Sequence, residues 1–253
     1  MYLWKYWRES RITFAVGMAL VGLLFWGVLK IHVGTVMQDP NGGGQIKDNQ
    51  IYLLIAAGLT LPFAFFALKF GSFGVGRDLG EGSGSFLFSR PRSRAFFVWS
   101  DWGYGMAQLL LIALAANAVL ALAVYRITGG GGPILLGGVP VSMASIFVLH
   151  CVAGLLLIGL VMGLTYLSSV LAKNRGALLA LGVLLAYLIA KAVVKYKWPS
   201  ITLPDLTLTE FSMTPEGPPG FAHNLGLEIG LRAAVALAFP FAAQILLQQR
   251  DVD

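Results

Sequence analysis

Apolar and polar positions alternate along this chain in long blocks rather than residue by residue. Six apolar runs fall at about residues 12–31, 51–70, 96–125, 143–167, 177–194 and 227–247. A helix that crosses a bilayer takes about 20 apolar residues, and each run is of that order. Charged residues lie mostly between the runs or at their ends, and the period-two alternation of a membrane barrel is absent. The pattern predicts an all-α integral membrane protein: one transmembrane domain over residues 1–253, with six transmembrane helices and no internal repeat. Pro62 lies inside the second run, where it removes a backbone hydrogen bond and is expected to kink the helix.

The polar blocks differ in kind. Residues 1–11, MYLWKYWRESR, mix Tyr2, Trp4, Tyr6 and Trp7 with Lys5, Arg8 and Arg11. Rings and long basic side chains both favour the headgroup level, which predicts an amphipathic interfacial helix along the membrane surface. This preface and the lack of a small-residue cleavage site set the first run apart from a signal peptide. Asp39, Pro40 and Gly42–Gly44 give the next link turn chemistry. The longest charged interior segment follows, residues 71–101, with a glycine-rich half and then a short apolar and basic half. A loop that only reverses the chain needs a handful of residues, so this one reads either as a solvated connector or as a docking surface. Gly129–Gly132 with Pro133, and Ala172–Gly176, make shorter links. Residues 195–226 form a second long connection, rich in proline.

Composition agrees with the pattern. Hydrophobic residues make up 57% and charged residues 12%, about half the charge of an ordinary soluble domain. With the six runs as spans, both termini share a side. One side then holds 11 of the 18 basic residues: Lys5, Arg8, Arg11, Lys69, Arg77, Arg90, Arg92, Arg94, Lys173, Arg175 and Arg250. The other holds Lys30, Lys47, Arg126, Lys191, Lys195 and Lys197, with Arg232 inside a span. The excess places both termini in the cytoplasm. The net charge of +6 therefore reads as anchoring to membrane lipids and not as a nucleic-acid surface. Cys151, the single cysteine, excludes a disulfide within the chain.

Catalytic and metal chemistry is thin. No phosphate-cradling Gly-x-x-x-x-Gly-Lys-Ser/Thr run exists, and the glycines of GVGRDLGEGSG lack the lysine that such a loop needs. Gly82-Ser83-Gly84 lacks the glycine two before the serine of a nucleophile elbow. His150 and Cys151 point about 100° apart on a helix with no third ligand nearby, so they read as packed side chains. No metal, cofactor or catalytic residue is expected on this chain. Glu228 and Arg232, spaced i, i+4, read as an intrahelical ion pair or as part of a substrate path.

The order of parts resembles the ABC type-2 permeases, the membrane subunits of ATP-driven exporters. The local resemblance lies in Asp78-x-Gly80-Glu81-Gly82-Ser83, followed by Phe86-Leu-Phe-Ser89-Arg-Pro91-Arg-Ser-Arg94. It covers about 20 residues in motif and nearly the whole chain in layout; the final Arg250-Asp251 also looks like the usual ending. The resemblance implies an exporter in a bacterial or archaeal inner membrane, paired as a homodimer or with a related permease. ATP and Mg would be bound and used by a separate ATP-binding-cassette subunit. By resemblance, residues 71–95 form the coupling loop and Asp78, Gly80, Glu81, Ser89, Pro91 and Arg94 contact that subunit, with Trp4, Trp7 and Arg8 on the interfacial helix. Residues 195–226 would form an outer segment, re-entrant or an ordinary loop. The density of basic residues in Arg90-Pro-Arg-x-Arg departs from the family pattern and suits lipid headgroups as well. The other reading is a non-transporting anchor or assembly subunit using the same loop. Few charges lie within the spans, which favours amphiphilic or lipid-linked cargo over small ions.

Overall fold

A computed structural model describes residues 2–30, 63–82, 93–128, 134–136, 139–141, 143–198 and 218–249. In order they form α1 (Tyr2–Leu29), α2 (residues 63–71), α3 (Val75–Gly80) and α4 (Arg94–Thr128). A small hairpin follows, β1 (Ile134–Leu136) and β2 (Val139–Val141), then α5 (Met143–Ala172), a 3₁₀ turn (Lys173–Arg175), α6 (Gly176–Lys197) and α7 (Pro218–Gln249). Five of these helices are long and apolar enough to cross a membrane. The protein is an all-α, multi-pass membrane protein, with the antiparallel hairpin, Ile134 opposite Val141, as its one described β element.

Most predicted spans lie inside longer helices. The clearest difference is at the N-terminus, where residues 1–11 were expected as a separate surface helix. Residues 2–29 instead form a single helix of 28 residues, about 42 Å long at 1.5 Å per residue. Nothing between Arg8 and Phe14 breaks it, for the segment holds no Gly or Pro, and Trp7 packs on Phe14 across the expected join. The kink expected at Pro62, the loop around Asp39 and residues 199–217 of the connection expected over 195–226 lie outside the described residues. The two ends of that connection are helical, residues 195–197 closing α6 and residues 218–226 opening α7.

The packing centres on α5, which touches α3, α4, α6 and α7, while α1 lies along α4. Two arginines near the ends of α4 tie it to its neighbours. Arg94 donates to the carbonyls of Leu247 and Gln248 at the end of α7, and Arg126 to the carbonyl of Leu29 at the end of α1, 2.7 Å away. Terminal carbonyls lack intrahelical donors and carry the negative end of the helix dipole, so a guanidinium satisfies both needs. These contacts also orient the bundle. The start of α1, the start of α4 and the end of α7 share one end, hereafter the anchored end.

Between α1 and α4, Gln108 Nε2 donates to Ser10 Oγ at 3.0 Å, a polar tie of the kind that holds helices together in lipid. Within α7, Pro240 cannot donate to the carbonyl of Ala236. That carbonyl lies over Gly163 of α5, where an added Cβ would stand 3.0 Å from it. Glycine therefore lets the two backbones approach at the point where the α7 ladder is interrupted.

Candidate functional site

The segment that joins α2 to α4 begins as a buried elbow. After Gly71 the chain turns, with Ser72 Oγ donating to the Lys69 carbonyl at 2.7 Å. Gly74 has φ 77° and ψ −136°, a region that side-chain-bearing residues rarely enter. The space a Cβ would fill is taken by the Asp101 carboxylate of α4. Asp101 Oδ2 accepts the Val75 N–H at 2.8 Å, so a residue from another helix does the work of an N-cap for α3. Asp101 is itself buried.

Asp78, on α3, is also buried, and Lys5 of α1 donates to its Oδ1. Without that cation a carboxylate here would be very costly, because a buried charge is tolerated only when paired. The neighbouring Tyr6 donates to the Phe70 carbonyl at 3.1 Å and meets Tyr104 edge-on with ring centroids 5.4 Å apart. Ser169 of α5 closes the elbow from the other side. Its Oγ lies 2.8 Å from the Thr165 carbonyl and 3.2 Å from that of Gly71, and its single proton serves one of them at a time. Gly76 and Gly176 both press against Ser169.

The residues implicated by the sequence divide into three groups. Trp4, Arg8 and Glu81 are exposed at the anchored end, with Gly80 half-exposed beside Glu81 and Trp7 half-buried against Phe14. On the outer side of α3, Arg77 Nε donates to Glu81 Oε1 at 2.7 Å, and this bond raises the guanidinium pKa above its usual value. Asp78 and Arg94 face inward, one on Lys5 and the other on the end of α7. Ser89 and Pro91 lie outside the described residues. So do the side chains of Glu228, His150 and Cys151, whereas Arg232 is buried in α7. Among the described residues no three His, Cys, Asp or Glu side chains gather as a metal site.

No family model, curated protein or solved structure matches this chain. The site therefore rests on its own geometry.

Three of its members escaped the sequence reading. In the sequence Lys5 reads as one of the surface charges and Asp101 as the end of a polar stretch, while Ser169 falls between the fourth apolar run and the link at Ala172–Gly176 and has no role there. Asp101 did carry a signal, since a carboxylate set in Phe-Val-Trp-Ser-Asp-Trp needs a partner to be tolerable there. Nothing local in the sequence names that partner as the backbone of Val75.

Proposed function

We propose that this chain is the permease subunit of an ABC-type exporter, with six spans, both termini in the cytoplasm and a separate ATP-binding subunit docked at the anchored end. ATP and Mg belong to that subunit, where hydrolysis takes place. Two permease chains, identical or related, enclose the pathway. The observation that carries this reading is the meeting of α1 and α3. Lys5 and Asp78 are 73 residues apart, and their pairing brings both segments of the expected docking set to one face, with Trp4, Arg8 and Glu81 outward.

The inward contacts suit force transmission. A partner pressing on the outer side of α3 pushes an element capped by α4 through Asp101 and packed through Gly76 onto α5. It is also salt-bridged to α1. Such a joint moves the ends of several helices together, which is what alternating access requires of ATP-driven closure. The anchoring of Arg94 on α7 adds the last helix to the same body.

Purification of the chain from its native membrane in mild detergent, with mass spectrometry and an ATPase assay, tests the reading. An ATP-hydrolysing subunit is expected to accompany the wild type and to be lost from Arg8→Glu with Glu81→Arg, while the variant chain stays folded. Recovery of a stable complex without any such subunit would overturn it in favour of a non-transporting anchor.

A further inference from the structure

The 3₁₀ turn between α5 and α6 packs directly against α3. In the sequence it is only a short polar link, yet it presents exposed Lys173 and Arg175 beside the face already described. Lys173 has φ 54° and is the one non-glycine residue with positive φ among those described. Glycine takes that conformation without steric cost, whereas a side chain crowds its own backbone. The turn thus carries a lysine where the backbone alone would be better served by glycine, and that lysine points its charge outward.

The turn is also held in place. Ser169 lies between Gly76 of α3 and Gly176 at the start of α6, in close contact with both, so Lys173 and Arg175 keep a fixed position relative to α3. Lipid headgroups need no such fixed register, since flexible surface lysines reach them from any position. A folded partner with carboxylates at set positions does need it. Among the described residues of this face, Lys5, Arg8, Arg77, Lys173 and Arg175 outnumber Glu9, Asp78 and Glu81, so its net charge is positive.

Building on the docking reading above, we propose that Lys173 and Arg175 form a third part of the docking face and receive acidic side chains of the ATP-binding subunit. The test uses the full chain purified with its partner. Lys173→Gly keeps the backbone turn and removes the charge, Lys173→Arg keeps both charge and turn, and Lys197→Ala at the far end of α6 serves as a control. The double variant Lys173→Gly with Arg175→Ala is expected to retain about five-fold less ATP-binding subunit than wild type at fixed salt, the effect of losing two exposed ion pairs. Its unfolding temperature should not fall, while Lys173→Arg and Lys197→Ala should retain the subunit.

Undiminished retention by the double variant, with retention lost on changing Arg8 and Glu81, would overturn this inference and leave the docking reading standing. Loss of co-purifying anionic phospholipid without loss of the subunit would assign the turn to the membrane and also overturn it. A wild-type chain that retains no ATP-binding subunit would overturn both.

Discussion

The anchored end of the bundle and helix α6 are joined by three residues, and they break opposite rules of soluble proteins. At the anchored end, Asp78 and Asp101 are buried, Asp78 on Lys5 and Asp101 against Gly74 and the Val75 N–H. Along α6, Leu178, Leu185, Leu188 and Ile189 stand exposed, and only 6% of its apolar window is buried against 61% for α5. In water, such an apolar surface would demand a partner. In lipid it demands nothing, because moving a leucine from acyl chains to a protein interior gains little. Cohesion must then come from close backbone approach, capped helix ends and matched charges. These are the features concentrated at the anchored end.

That contrast predicts a steep gradient of mutational cost, measurable as unfolding in mild detergent. The largest effect belongs to Lys5→Ala, which leaves the Asp78 carboxylate buried beside a lost cation. A loss of about 3 kcal/mol is expected, at the low end for broken buried pairs because Lys5 is partly exposed. Changing Asp78→Ala in the same chain should recover much of that loss, as a double-mutant cycle would show. Equal losses for the single and double variants would mean that the pair is not the source of the cost.

Gly74→Ala comes next. It strains a positive-φ position and displaces the Asp101 cap, for an expected loss of about 2 kcal/mol. Asp101→Asn, which keeps an acceptor oxygen for Val75, should cost less than Asp101→Ala. A reversed order would argue against the capping role.

Smaller effects separate the exposed features. Lys173→Gly should raise the unfolding temperature, by about 2–4 °C if relief of the left-handed lysine is worth about 1 kcal/mol. Arg77→Ala should cost less than about 1 kcal/mol, since the Arg77–Glu81 pair is solvent-exposed. Ile189→Val on α6 should lie within about 0.5 kcal/mol of wild type. A loss near that of a buried core change would show that this side of α6 is covered by protein rather than lipid.

The sequence made the helices legible because crossing a bilayer constrains length and hydropathy over some 20 residues at a time. Spans three to six appear in the structure as α4 to α7, each extended by a few residues or turns. Hydropathy does not encode which apolar helix is central. The runs that became α5 and α6 look alike, and small residues such as Gly159, Gly163 and Ser169 distinguish the packed one. The glycines at 71, 74 and 76 stand out as part of a glycine-rich segment, but nothing in the sequence says what they approach. Their partners, Thr165, Asp101 and Ser169, come from distant helices and follow only from the tertiary arrangement. For the same reason Asp78 and Arg94 read as surface contacts, although the fold turns both inward.

The most direct test places a photo-activatable cross-linking residue at single positions in otherwise intact chain, in its native membrane. Trp4 and Glu81 are exposed at the anchored end, and Ile189 is exposed on α6. The account predicts adducts with an ATP-hydrolysing subunit from positions 4 and 81 and none from position 189. Adducts with that subunit from 189, or none from 4 and 81 in a complex that contains the subunit, would contradict it.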